Sequence, residues 1–152
     1  MHERHIKIII AMLSFLFLDM SRPLGYTLHT EFVVLGLVFA AFNYSFFVAF
    51  LLSVVFGFFK DAVGISPSHF NLMIMPLLTI LIHLFLRRFH KVGIRIAVFF
   101  TALVIYAVNN SLQLQTPEVG FTLLFIVQSA IIFLGINYLL RKWIRIFPVK
   151  YI

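Results

Sequence analysis

FFVAFLLSVVFGFFKDAVGISPSHFN, residues 46–71, holds an apolar run that stops at a charged pair and resumes after a short turn. The run reaches Phe59 and ends at Lys60-Asp61. Gly64 and Pro67 follow, and these residue types mark turns and the ends of helices. The segment therefore predicts one helix that ends in a charged turn and a second helix that returns beside it.

The composition indicates that the solvent around this protein is lipid. Of the 152 residues, 62% are hydrophobic and 11% are charged, and the mean hydropathy is +1.08. Soluble domains are about 45–50% apolar and about 25% charged. The length suits one compact unit, so we expect residues 1–152 to form a single integral membrane domain. With no cysteine in the chain, disulfides, thiolate metal sites and a cysteine nucleophile are excluded.

Several apolar runs, separated by polar turns, could cross a membrane. They are Ile6–Leu18, Glu31–Phe59, Phe70–Leu86, Ile94–Asn109 and Val119–Leu140. The first follows a basic head, as a signal peptide would, but no small-x-small cleavage site follows it, so we expect it to be retained. The second is over-long for one span and is interrupted at Asn43-Tyr44-Ser45, so it is either one long helix or two short ones.

The positions of the basic residues favour two short helices. Ten of the twelve Lys and Arg residues lie in three clusters: Arg4 and Lys7; Arg87, Arg88, Lys91 and Arg95; and Arg141, Lys142, Arg145 and Lys150. With six spans, all three clusters face the cytoplasm and only Arg22 and Lys60 lie outside. With five spans, the middle cluster or both termini would face outward, against the positive-inside rule. We therefore expect an all-α fold of six short transmembrane helices with cytoplasmic N and C termini.

The net charge of +7 does not indicate nucleic-acid binding, because the basic residues lie beside apolar spans and not on a polar face. The uncharged residues from Asn109 up to Glu118 are expected to form an external loop, and Tyr138 and Trp143 to lie at the membrane interface.

Few residues could carry chemistry. His2-Glu3-Arg4-His5 resembles a zinc-binding HExxH motif, but its histidines are three apart and cannot share a helix face as that motif requires. His83 is expected to form a hydrogen bond to a neighbouring helix, since the spans contain no carboxylate that would complete a proton relay. Gln128 and Asn137 are likewise expected to bond between helices. No catalytic residue, cofactor site or metal site is predicted, and the chain is expected not to be an enzyme.

Asp61 is the side chain to which we assign a specific role. Lys60 and Asp61 are adjacent and point to different faces of a helix, which argues against an ion-coupling pair. The Asp61 carboxylate can instead accept backbone N–H groups at the turn, or cap the helix that opens near Ser66–Ser68. Pro67 suits the first turn of that helix, and Gly64 suits a left-handed backbone position.

This turn resembles the best-marked segment of the rod shape-determining protein MreD family. That family has a Gly-leu-leu-x-Asp-leu-x-Ser/Gly-x-x-Pro-leu-Gly pattern between its third and fourth helices. The chain matches it at Gly57, Asp61, Gly64 and Pro67, with a helix opening at Phe70-Asn71, and departs from it at Lys60 and at Ser68-His69. The size, the six spans, the basic tail and Glu31 at the start of the second span also fit. The motif and turn residues that the resemblance implies are Gly57, Asp61, Gly64, Pro67 and Asn71.

The resemblance implies a non-enzymatic scaffold in the inner membrane of bacteria, where it serves the cell-elongation machinery that synthesises peptidoglycan. Its expected partner is an MreC-like single-span protein, with indirect links to MreB filaments and to a RodA-type glycosyltransferase and its transpeptidase. The family's fold is similar to that of the substrate-binding subunits of energy-coupling-factor vitamin transporters, so such a subunit is the alternative function. Those subunits usually carry an Ala-x-x-x-Ala face on the first helix, where this chain has Ala11 followed by Phe15.

Overall fold

The computed structural model describes residues 2–21, 31–63, 70–88, 92–113 and 119–144, and within α5 and α6 it describes the side chains of 96–108 and 123–144. These residues form six α-helices and no strand, which confirms the all-α prediction. The helices are α1 (His2–Ser21), α2 (Phe32–Asn43), α3 (Phe46–Val63), α4 (Phe70–Arg88), α5 (Val92–Gln113) and α6 (Val119–Ile144).

Among the described residues, three segments are long and apolar enough to cross a membrane: Phe46–Val63, Phe70–Arg88 and Leu123–Ile144. An 18-residue helix is about 27 Å long, close to the thickness of about 30 Å of the hydrocarbon core. Phe32–Asn43 and Ile96–Val108 are shorter apolar helices. The helices thus suggest a membrane protein, and the six-span topology stays a prediction.

Helix α2 is the centre of the bundle. Its nine consecutive residues from Val33 to Ala41 are all buried, and it contacts α1, α3, α4 and α6. A helix that is apolar on every side is stable only where other helices surround it. The chain does break where the sequence predicted: α2 ends at Asn43, whose amide donates to the Phe39 carbonyl, and α3 begins at Phe46.

Consecutive helices run in opposite directions, which separates the charges into two ends. The start of α1 lies at the turn between α2 and α3, and His83 near the end of α4 packs on Phe46 at the start of α3. At the opposite end, Tyr106 of α5 contacts Asn71 of α4 and Phe125 of α6. We call the first end, with Arg4, Lys7, Arg87, Arg88, Arg141 and Lys142, the basic end. The other, with Asp19, Glu31 and Asp61, is the acidic end.

Tyr44 connects α1 to the turn between α2 and α3 at the basic end. Its hydroxyl donates to the Arg4 carbonyl at 3.0 Å, and its ring lies 5.8 Å from the ring of His5. Burial raises the pKa of Tyr44 to about 12, while the charge of Arg4 acts in the opposite direction. The phenol therefore stays protonated near neutral pH and remains a donor.

The structure corrects one boundary. The predicted external loop of residues 109–118 starts later, because α5 continues through Gln113. Asn109, Asn110 and Ser111 are poor helix formers, but the first strong helix breaker is Pro117, so nothing forces the helix to end earlier.

His83 and Asn137, which were predicted to bond between helices, each form a hydrogen bond within their own helix instead. His83 Nδ1 lies 3.2 Å from the Thr79 carbonyl of its own helix, and its contact with α3 is an edge-on packing of its ring against Phe46. Asn137 accepts from Arg141, four residues along α6. Groups four residues apart share a helix face, so these local partners are within reach.

Gly57 sets the distance between α3 and α4. A Cβ atom at this position would lie 2.7 Å from the Asn71 carbonyl oxygen and 3.1 Å from Leu72 Cα. Both are backbone atoms of α4 and cannot move independently of that helix. A side chain at position 57 would therefore push the two helices apart.

We predict that Gly57→Ala lowers the free energy of unfolding by about 1–3 kcal/mol, the usual cost of overpacking. Gly135→Ala is the matched control, since a Cβ there would meet nothing within 4 Å, and alanine favours the helix by up to about 1 kcal/mol. Denaturant unfolding in detergent micelles measures both. Equal stability of the two variants would show that the α3–α4 spacing can relax.

Candidate functional site

The Asp61 carboxylate, in the last turn of α3, caps the start of α4. Its Oδ1 accepts from the Asn71 backbone N–H at 3.0 Å and from Asn71 Nδ2 at 2.8 Å, and its Oδ2 accepts from the Leu72 N–H at 2.8 Å. The first N–H groups of a helix have no partner within the helix and carry partial positive charge. Asp61 thus satisfies two of them with charge-assisted bonds across a gap of ten residues.

The predicted motif residues are partly brought together. Gly57 lies one turn before Asp61 on α3, against the backbone of Asn71, so its missing side chain lets Asp61 reach α4. Gly64 and Pro67 lie outside the described residues. The observed cap is at Asn71 and Leu72, within the helix that begins at Phe70.

Tyr106, buried in α5, joins this cap to the beginning of α2. Its hydroxyl donates to Glu31 Oε2, lies 3.1 Å from Asn71 Oδ1, and accepts from Lys60 Nζ at 3.1 Å. Because Asn71 directs its amide nitrogen to Asp61, its oxygen is left facing Tyr106. One phenol therefore contacts groups from α3, α4 and the residue that precedes α2.

Lys60 forms an ion pair with Glu31, the residue just before α2. The Lys60 and Glu31 side chains are only 17% and 22% exposed, and Lys60 Nζ lies 5.5 Å from the centre of the Tyr106 ring. The adjacent Asp61 reaches α4 instead. As predicted for neighbouring helical positions, Lys60 and Asp61 point to different faces, and each face has its own partner.

Asp19 caps the start of α2, as Asp61 caps the start of α4. Its two carboxylate oxygens accept from the Phe32 N–H at 2.7 Å and from the Val33 N–H at 3.0 Å. Glu31, at the N-cap position of α2, makes no side-chain cap of its own. Two helices therefore start against a carboxylate supplied by the end of a preceding helix.

We call these residues the carboxylate clamp: Asp19, Glu31, Lys60, Asp61, Asn71 and Tyr106. They connect five of the six helices at the acidic end through hydrogen bonds and one ion pair. Within the described part of the chain, no group of three metal-ligating side chains is arranged to hold a metal ion. The bonds given above use the carboxylates as structural acceptors, so the clamp is suited to fixing helix positions.

Sequence reasoning identified Asp61, Asn71 and Gly57 but missed three parts of the clamp. It assigned no role to Asp19 or Tyr106 and no partner to Lys60. Tyr106 is the polar aromatic residue of an otherwise apolar run, and buried tyrosines usually find a partner for the hydroxyl, which was an available signal. The pairing of Lys60 with Glu31 had no such signal, because it depends on how α2 and α3 pack.

The comparisons of this chain with family models, with curated proteins and with solved structures found no match.

We predict that Asp61→Asn lowers the free energy of unfolding by about 1–3 kcal/mol, because it replaces charge-assisted bonds and turns one acceptor into a donor that faces an N–H. Denaturant unfolding in micelles measures the loss. Glu3→Gln is the control: Glu3 is exposed and pairs with Lys7 on the surface of α1, so its loss costs at most about 1 kcal/mol. A loss for Asp61→Asn no larger than the control's would contradict the cap.

Tyr106→Phe keeps the ring that stacks on Phe125 and removes the hydroxyl. We expect a loss of about 1–3 kcal/mol, because Glu31 loses a donor and Lys60 loses an acceptor in a partly buried setting. A double-mutant cycle with Asp61→Asn should give a coupling energy of at least about 0.5 kcal/mol, since both changes act through Asn71. Additive effects would mean that the two halves of the clamp are independent. Tyr106→Phe combined with Glu3→Gln should be additive.

Proposed function

We propose that this protein is a non-enzymatic scaffold of the bacterial cell-elongation machinery, with six spans in the inner membrane and both termini in the cytoplasm. In this role it binds an MreC-like single-span partner and supports rod shape and lateral peptidoglycan synthesis. The observation that carries the proposal is that Asp61 caps the start of α4, within the segment that resembles the MreD motif.

The geometry of that segment supports a structural role for its residues. Gly57 permits close approach of α3 and α4, and Asp61 then binds the start of α4. The contact between α3 and α4 explains why the pattern has a glycine four residues before an aspartate. This explanation does not require a bound ligand. A rigid acidic end is what a scaffold needs in order to present its outer surfaces to a partner at a constant geometry.

The separation of charge supports the proposed orientation. Six of the seven described Lys and Arg side chains lie at the basic end, and three of the four described carboxylates lie at the acidic end; Lys60 and Glu3 are the exceptions. Basic residues next to membrane spans favour the cytoplasm. The basic end is therefore assigned to the cytoplasm and the clamp to the opposite face, where an MreC-like partner would have its periplasmic domain.

The surface of the bundle offers apolar area for partner spans. Val127, Ile131, Leu134 and Tyr138 of α6 are each more than half exposed. In a membrane such a face contacts either lipid or another helix. We assign the outer faces of the helices, in place of a polar pocket, as the surface where a single-span partner binds.

The alternative is a substrate-binding subunit of a vitamin transporter. That function usually needs a face of small residues on the first helix, but Ala11 of α1 is buried in the bundle. The exposed face of α1 carries large side chains instead, including Ile10, Leu13 and Phe17. Among the described side chains at the acidic end, the polar groups of the carboxylate clamp bond to one another. Both observations favour the scaffold.

Affinity purification of the full chain from its own membranes, with identification of the co-purifying proteins, tests this proposal. We expect an MreC-like protein and wall synthases. Recovery of paired ATPases with a coupling membrane protein would replace the scaffold with the transporter subunit.

Asp61→Ala tests the role of the clamp in cells. In a strain that lacks its own copy of the gene, we expect this variant to fail to support rod growth, and Glu3→Gln to support it. Immunoblotting of membranes measures how much of each variant accumulates. Normal rods with a normally accumulated Asp61→Ala protein would show that the turn has no function in growth.

A further inference from the structure

The proposed function does not use a groove that lies between α4 and α5. Its volume is about 340 Å³, within the range of about 300–1,000 Å³ that is typical of ligand sites. It lies between two neighbouring helices and opens to the outside of the bundle. Side chains that line it include Leu78, Leu81 and Phe85 of α4 and Ala97, Thr101 and Ile105 of α5.

The chemistry of the groove selects an apolar occupant. The hydroxyl of Thr101 is its polar side-chain group, and it donates to the Ala97 carbonyl of its own helix at 2.9 Å. The remaining lining side chains are hydrocarbon. A polar metabolite would therefore lose its hydration without gaining hydrogen bonds from side chains.

The groove extends along the two helices toward their basic end. Leu78 and Phe85, which both line it, are seven residues apart on α4, which corresponds to about 10 Å along the helix axis.

A cationic group stands at the basic end of the same face. Arg88 follows Phe85 by three residues and Leu81 by seven, and residues at these spacings lie on one face of a helix. Its side chain is exposed. Arg87, one position earlier, follows His83 by four residues and so belongs to a neighbouring face. The apolar groove therefore leads toward the exposed guanidinium of Arg88.

We propose that an anionic phospholipid binds here, with one acyl chain in the α4–α5 groove and its phosphate on Arg88. Arginine binds phosphate through paired N–H donors, and basic sites beside transmembrane helices bind anionic head groups. The groove would hold the apolar acyl chain, and Arg88 at its basic end would hold the charged head group. A bound lipid would fill the gap between α4 and α5 and so stabilise their packing.

Native mass spectrometry of the full-length protein tests this site. The protein is released from micelles that contain equal amounts of phosphatidylglycerol and phosphatidylcholine with the same acyl chains. We expect bound phosphatidylglycerol to predominate. Arg88→Ala should reduce the phosphatidylglycerol adduct about fivefold, the effect of losing one basic contact at a membrane surface. Arg141→Ala, which removes an exposed arginine from α6 at the same end, should leave it unchanged.

A second pair of variants tests the groove itself. Ala97→Phe should fill the groove and remove the adduct, while Val104→Phe places the same ring on an exposed position of α5 that does not line it. Thermal unfolding in detergent alone should show that both variants fold. Equal retention of the two lipids, or equal losses in the Arg88 and Arg141 variants, would overturn the proposal. So would a dimer that Ala97→Phe abolishes while the lipid adduct persists.

Discussion

The first backbone N–H groups of a helix have no acceptor within the helix, and neighbouring apolar side chains cannot supply one. Asp61 meets this need for α4 and Asp19 meets it for α2. In both cases the carboxylate comes from the end of an earlier helix, so satisfying the N–H groups also fixes the position of two helices. The remainder of the acidic end is built around these two joints.

The ion pair of Lys60 with Glu31 depends on the same arrangement. With Asp61 committed to α4, Lys60 on the adjacent face of α3 approaches the start of α2, and Tyr106 of α5 bonds to both partners of the pair. A partly buried charge is costly unless it is paired and hydrogen-bonded, and here both charges are. The clamp therefore links helices whose other contacts are apolar and carry little directional information.

The two ends of the bundle consequently differ in how their polar side chains are bonded and exposed. At the acidic end the described residues of the clamp bond to one another, whereas the basic end carries exposed arginines, including Arg88. In the proposed scaffold, the clamp keeps the helices in register while the outer faces contact a partner span and lipid. Flexible, unbonded polar groups at the acidic end would instead suit a site that opens to admit a ligand.

The sequence by itself determined the all-helical class, the break of the chain near Tyr44, and the special position of Asp61, because hydropathy, turn residues and charge are local properties of the chain. It set the end of α5 too early, where no strong breaker follows Asn109. Only the tertiary structure decided that Lys60 pairs with Glu31 and that Asp19 and Tyr106 belong to the same site. Those contacts join residues distant in sequence, and uniformly apolar helices do not encode in their composition which faces pack together.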